Sequence, residues 1–476
     1  MHPANPFVNR LGELAFLEGL YRRPGLQVAV LYGRRRVGKT ELINHFTEGK
    51  DGIYFLADKG GTQANAQRFA EACAARFEGL TPKALNFEDA FAYLGDRIAQ
   101  NAAGKGKLVV VLDEFSYLVE KDSAVPSFFQ RIVDQIVKGS NLLLILCGSS
   151  MSMMFRGALS YESPLYGRST GDWLVKPMTF FEARGFYPRA PMAEAVAAYA
   201  VFGGIPAYAA KFDGRDVLRS IQDRILSKGE TLYNEPEVLL REELREPPTY
   251  LSILQAMASN AKLTDIANAA RVNAKDMPKY LKTLEELQLV RKINPVTERN
   301  SKKSRYFIDD NFFAFWFKFV YPHRSELEAG RIQDVLPKIG RDLNPFVGLA
   351  FEQVCAQYLS RQGEIPYNKV GKWWGHVKKE GTRVVEEIDI VTLDERTKTI
   401  LLAECKWSER VNAGELVAGL AGKAAKVEWN NGKRKEHYAI FAKSFGKRTT
   451  EFEGKPVHCL DANEMVSNLR AHARKG

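Results

Sequence analysis

Three sets of residues in this chain have the types and the spacing to do chemistry. The first is Gly33-Arg-Arg-Arg36-Val37-Gly38-Lys39-Thr40, which satisfies G-x-x-x-x-G-K-[ST] at every constrained position. In such a loop successive backbone N–H groups, with the positive end of the following helix, surround phosphates. Lys39 then reaches the β- and γ-phosphates of ATP, and the Thr40 hydroxyl coordinates Mg²⁺. The competing reading is a chance glycine-rich turn. Against it stand the strand-like run 27–32 just before the loop and the helix-like run 40–46 just after it.

The second set is Asp113-Glu114, which closes the apolar run 108–112. A buried strand that ends in a carboxylate presents it where α/β sheets bind ligands, so Asp113 suits the Mg²⁺ shell. Glu114 is then the candidate general base that polarises the attacking water. The next apolar run, 142–147, ends in Cys147-Gly-Ser149-Ser150, and Ser149 is the hydroxyl best placed to sense the γ-phosphate or position the water. Serines also end strands for purely local reasons. Arg168, on the turn Ser163-Pro-Leu-Tyr-Gly-Arg168, has two readings: a charge stabiliser for phosphoryl transfer, in its own subunit or a neighbour's, or a surface arginine.

The third set is Asp389, Glu404 and Lys406. The strand-like runs 388–393 and 400–407 flank a polar loop; a hairpin centred between Arg396 and Thr397 sets Asp389 opposite Glu404. Lys406 shares their face, because side chains alternate along a strand. Two carboxylates and a lysine suit metal-dependent phosphodiester hydrolysis: Asp389 and Glu404 hold a divalent cation, and Lys406 orients or helps deprotonate the water. Glu352, in the helical run 345–359, is the natural further metal ligand. The alternatives are a surface hairpin with paired charges, or a plain Glu387–Lys406 salt bridge. Trp373-Trp374 nearby stacks on a base or caps the core.

These groups require elements to hold them. Buried runs at 27–32, 53–57, 108–112, 142–147 and 173–175 alternate with helical stretches at 67–77 and 87–101, which predicts a parallel sheet covered on both sides. The chain then turns helical over 179–240, like a lid, and Pro247-Pro248 marks a boundary. Helical candidates at 250–258, 263–270 and 275–287, followed by two strands within 290–309, predict a winged helix. Its DNA contacts would be Lys275, Lys279, Lys282, Lys302, Lys303 and Arg305; a packing or hinge module is the other reading. The aromatic run 311–320 suits packing better than base stacking, and the polar stretch 323–342 reads as a link to the last domain.

The expected domains are a P-loop core (1–178), a helical lid (179–246), a winged helix (247–322) and a C-terminal α/β domain (343–476). A net charge of +11 favours an anionic partner, nucleic acid above all and DNA first. In residues 351–476 there are 22 Lys/Arg against 17 Asp/Glu, and Lys433-Arg434-Lys435 reads as a solvated basic loop. Five scattered cysteines without a C-x-x-C argue against a disulfide framework and a structural zinc site. No apolar run approaches membrane-spanning length and no signal-peptide pattern is present, so the expectation is a cytoplasmic protein with no membrane partner.

Together these residues resemble the prokaryotic, archaeal-type P-loop ATPases of the AAA+/STAND-like group that carry a winged helix and a C-terminal domain related to restriction endonucleases. The resemblance rests on Phe7-Val-Asn9-Arg10-x-x-Glu13-Leu14, the phosphate loop, Leu112-Asp-Glu-Phe115, Ser163 to Arg168, Gly203-Gly-Ile-Pro206 and Glu404-Cys-Lys406-Trp. It implies that Phe7, Asn9 and Arg10 line the adenine pocket and that Arg168 senses nucleotide. It also implies a PD-(D/E)xK site at Asp389, Glu404 and Lys406, with Ile388 in the proline position. The function expected is an ATP- and Mg²⁺-dependent ATPase whose nucleotide state controls a DNA-directed, nuclease-like domain. The rival is a STAND-like switch or scaffold, open to self-association, with a silent C-terminal domain that binds DNA or protein.

Overall fold

The apolar runs of the N-terminal part become β1 (Gln27–Tyr32), β2 (Gly52–Leu56), β3 (Leu108–Asp113), β4 (Leu142–Gly148) and β5 (Gly171–Leu174). Every residue of β1, β3 and β4 is buried, whereas the edge strand β2 alternates between buried and exposed. All five strands are parallel, in the order β2-β3-β4-β1-β5. Because β4 lies between β1 and β3, the carboxyl ends that carry Gly33, Ser149 and Asp113 stand side by side. The helices α1 (Leu11–Arg22), α2 (Lys39–Thr47), α3 (Thr62–Arg76) and α4 (Phe87–Gln100) alternate with the strands. This computed structural model describes residues 7–100, 106–298, 303–363, 365–379 and 382–473. It divides into two units, Met1–Pro177 and Met178–Gly476.

The second unit begins with helices. Pro247 and Pro248 interrupt the helical run by opening the next helix, Pro247–Met257, rather than by standing between helices. Their missing N–H groups cost nothing in a first helical turn. The helices Leu263–Ala270 and Met277–Glu286 follow, then an antiparallel pair, β6 (Val290–Ile293) and β7 (Arg305–Ile308). The aromatic run is core: Trp316 is fully buried and donates its Nε1 hydrogen to the Tyr233 carbonyl at 3.0 Å. The stretch 323–342, expected to link domains, is mostly helical instead. It holds the helix Arg324–Glu328 and the start of a 31-residue helix, Ile332–Gln362. Val335, Ile339 and Leu343, each buried and four apart, form the apolar stripe that its polar composition hides.

The C-terminal sheet contains β8 (Lys369–Lys379), β9 (Thr382–Asp394), β10 (Thr399–Lys406), β12 (Lys435–Ala442), β14 (Glu451–Phe452) and β15 (Lys455–Asp461), with β11 (Val411–Asn412) and β13 (Phe445–Lys447) as a separate small pair. The order is β14-β15-β12-β10-β9-β8. The hairpin has the expected register, running from Thr399 opposite Asp394 to Ala403 opposite Ile390. Val391, Leu393, Ile400 and Leu402 pack with Val417 and Leu420 of the helix Ala413–Ala424. Tyr358 of the long helix meets Phe441 edge-on at 6.2 Å. Arg434, expected in a solvated loop, instead has its side chain buried. Its guanidinium donates to the carbonyls of Ala424 (2.8 Å) and Val427 (2.7 Å) and pairs with Glu436 (2.7 Å).

Candidate functional site

At the carboxyl end of β1 the chain turns through the phosphate loop into α2. Gly33 leaves no room for a side chain: a Cβ there would stand 2.4 Å from the Val175 carbonyl oxygen. Arg36 (φ 65°) and Gly38 (φ 93°) take left-handed conformations, the kind of backbone that lets successive N–H groups converge on an anion. Lys39 is buried, and its ammonium donates to the Gly33 (2.8 Å) and Arg34 (3.0 Å) carbonyls. Between Arg36 and Gly38, Val37 is wholly buried, and its carbonyl accepts from Arg10 at 2.6 Å.

The Thr40 hydroxyl donates to Asp113 Oδ2 at 2.9 Å, and the Tyr54 hydroxyl donates to the same oxygen at 2.7 Å. Burial, then the Asp113 carboxylate, pushes the Tyr54 phenol well above its ordinary range, so it stays a donor. Sequence reasoning missed Tyr54, because an alternating edge strand announces no chemistry. Glu114 sits in a left-handed turn (φ 54°) and accepts from Ser149 Oγ at 2.7 Å and from the Ser149 N–H at 3.3 Å. Ser149 therefore addresses the candidate base.

Asn9 and Arg10 are also left-handed (φ 56° and 65°). Arg10 is 6% exposed, and its guanidinium also reaches the Lys176 carbonyl (2.8 Å) and Glu13 (2.8 Å), so its side chain braces the loop. Phe7 stacks on His45 of α2, with ring centroids 4.1 Å apart. Arg168 pairs with Asp134 at 2.8 Å and donates to the Pro164 carbonyl.

The second constellation draws on three elements: the long helix supplies Glu352, β9 supplies Asp389, and β10 supplies Glu404 and Lys406. Asp389 Oδ2 accepts from the Cys405 N–H at 2.8 Å. Burial first, then the Glu352 carboxylate and more weakly that of Glu404, pushes Asp389 up to about 6 against the pull of the Cys405 N–H and Lys372. Glu352 is thus the stronger neighbour of Asp389, although the hairpin pairs it with Glu404. Burial also acts on Glu404, but hydrogen bonds from Lys423 (2.8 Å) and Lys406 (2.9 Å) outweigh it and leave its carboxyl below the usual value. Burial works against the Lys406 cation, yet Glu404 and Asp389 raise it overall. Its acidic neighbours thus favour the Lys406 ammonium. Glu352 pairs with Lys372, which sequence reasoning missed along with Lys423.

Oxygen donors suited to Mg²⁺ converge at Thr40 and Asp113, whose carboxylate meets two hydroxyls there. At the C-terminal site the donors are hard carboxylates as well, but lysines already partner two of them. Among the described residues no group of three His, Cys, Asp or Glu is arranged to hold a metal ion. Trp373 and Trp374 are buried: Trp373 joins the core, and Trp374 lies under the Arg305 guanidinium at 4.6 Å. Lys275, Lys279 and Lys282 are exposed, Lys303 pairs with Glu298 and Arg305 with Glu387, while Lys302 lies outside the described residues. Among the described residues no helix is long and apolar enough to cross a membrane.

Residues 7–212 match an ATPase domain family found predominantly in Archaea, and residues 316–417 match a family of archaeal and bacterial proteins of unknown function. The chain is 35% identical over 412 residues to the uncharacterized protein MJECL04 of Methanocaldococcus jannaschii, covering 85% of this chain and 88% of that protein. A 44-residue stretch, 9% of this chain, is 54% identical to 75% of the uncharacterized ATP-binding protein MJ0423 of the same organism. Among solved structures, the Walker-type ATPase PABY2304 of Pyrococcus abyssi is similar with a TM-score of 0.49 and 23% identity, over 66% of this chain and 96% of that one.

Proposed function

The chain belongs to the same family as the Methanocaldococcus jannaschii protein and is an ATP-binding P-loop ATPase, and from that premise we propose that its nucleotide state controls a nuclease-like, DNA-directed centre in residues 343–476. In the ATPase half, Lys39 and the loop N–H groups hold the phosphates. Thr40 and Asp113 fit a Mg²⁺ ion, which when bound neutralises charge on the β- and γ-phosphates. Glu114, oriented by Ser149, accepts a proton from the water that attacks the γ-phosphate. Asp113 is fixed by Thr40 and Tyr54.

In the C-terminal half, the observation that carries the reading is the gathering of Glu352, Asp389 and Glu404 from three separate elements, with Asp389 pushed up by burial first and then by its acidic neighbours. Like charges brought together under burial are what a divalent cation relieves. Such an ion would supply Lewis-acid activation of a phosphodiester and its attacking water. Lys406 stabilises charge as the phosphodiester is cleaved. The test is Mg²⁺- or Mn²⁺-dependent cleavage of DNA by the full chain, expected to vanish in Asp389→Ala while ATP turnover persists. No cleavage by wild type with any divalent metal refutes it.

A second reading is supported by the lysine partners of Glu352 and Glu404. In it the C-terminal domain is silent and binds DNA or protein, while ATP acts as a slow switch. Slow turnover coupled to nucleotide-dependent self-association, with no strand cut, would favour it.

A further inference from the structure

Within the second unit a cavity of about 550 Å³ opens beside Asp389 and Glu352. Its walls come from β6, β7, β8, β9, the aromatic run and the long helix. The acids share its lining with apolar residues such as Ile293, Phe346 and Ala350 and with polar ones such as Asn311, Gln353 and Lys372. Two lining residues are unusual for their positions: Leu349 on the long helix is 55% exposed and Val370 on β8 is 44% exposed. Cations also line it: Lys292 and Lys318 are exposed, and Arg291 stands 3.2 Å from Asp309.

We propose that this cavity accepts an unpaired nucleotide, so that the C-terminal centre engages single-stranded or locally opened nucleic acid rather than an intact duplex. The inference rests on the nuclease-like reading of Asp389, Glu352 and Glu404 and specifies its substrate. The base lies on the apolar wall formed by Leu349, Val370 and Phe346, and the adjoining phosphodiester reaches Asp389. Lys292 and Lys318 meet the neighbouring phosphates. A cavity of this size falls within the ~300–1,000 Å³ typical of pockets for small organic ligands. Bases stacked inside a duplex cannot enter such a space; unpaired or extruded ones can. Exposed aliphatic side chains are costly in water, and a base face covers them without requiring a particular sequence. Exposed cations and part-buried acids lining one cavity are the combination expected when a polyanionic strand must bring one phosphodiester to a metal-type centre.

The test is fluorescence anisotropy with the full chain in excess EDTA, so that nothing is cut. The probes are a labelled mixed-sequence single-stranded DNA and the same strand annealed into blunt duplex. The single strand should bind at least about tenfold more tightly than the duplex. Leu349→Glu, at an exposed position, should weaken single-strand binding by about tenfold while the thermal transition stays unchanged. Lys292→Ala and Lys318→Ala should each lower the slope of log affinity against log salt by about 0.7. Duplex bound as tightly as single strand, or single-strand affinity untouched by Leu349→Glu, overturns the proposal. Because binding is read without metal, a failure to cleave refutes the nuclease reading separately and leaves this measurement standing.

Discussion

The nucleotide site of the first unit and the carboxylate site of the second both gather acids and lysines at strand ends, yet they balance charge in opposite ways. Asp113 is met by neutral hydroxyls, Thr40 and Tyr54, and Lys39 by backbone carbonyls. In the second unit Glu352 already has Lys372, and Glu404 has both Lys406 and Lys423. A ligand there must exchange existing ion pairs, and breaking a part-buried pair leaves a charge exposed to a poor solvent. The hydroxyls on Asp113 are neutral, whereas the lysines on Glu352 and Glu404 carry charge.

The contrast can be broken most forcefully at the phosphate loop. Lys39→Ala should reduce ATP turnover by at least about a thousandfold in a phosphate-release assay, since it removes a charge made for the transition state. Turnover near wild type would mean that Lys39 does not act on the phosphates. Glu114→Gln should follow, with kcat falling about 10²- to 10⁴-fold and nucleotide binding retained.

At the other site the comparison predicts stress rather than readiness. In metal-free protein at about pH 8, Asp389 is ionised in folded and unfolded chains alike, and the folded chain bears the cost of burial beside Glu352. Asp389→Asn removes that cost, so it should melt a few degrees higher than wild type there. Below about pH 4 the carboxyl is protonated in both states and the difference should close. A variant that melts lower at pH 8 would show that the site is relaxed as it stands. The smallest effect belongs to Tyr54→Phe, which removes one hydrogen bond to Asp113. The loss of about 1 kcal/mol should lower kcat roughly fivefold, with any rise in the Mg²⁺ requirement as a second readout.

Much of this was legible in the chain itself, for reasons that differ by region. The phosphate loop and Asp113 are local patterns, and strand burial makes them unmistakable. The pairing of β9 with β10 was legible because a short hairpin fixes register by counting. Glu352 was named, but its dominance over Glu404 as the neighbour of Asp389 depends on how the long helix packs, which no spacing reveals. Tyr54, Lys372 and Lys423 come from other elements and carry no local signature. The stretch 323–342 looked like a link because its polar residues outnumber a narrow buried stripe. Arg434 looked solvated because three basic residues in a row usually are; only the helix end at Ala424 shows what the guanidinium is for.

Arg10 carries a practical consequence. It ties the chain ahead of α1 to the Val37 carbonyl, within the phosphate loop, and to the Lys176 carbonyl beyond β5. A fragment begun at Leu11 would keep every residue of the G-x-x-x-x-G-K-[ST] pattern and lose the peg that holds it. Weak nucleotide binding by such a fragment would report on where it was cut rather than on the enzyme, so expression boundaries belong ahead of Phe7.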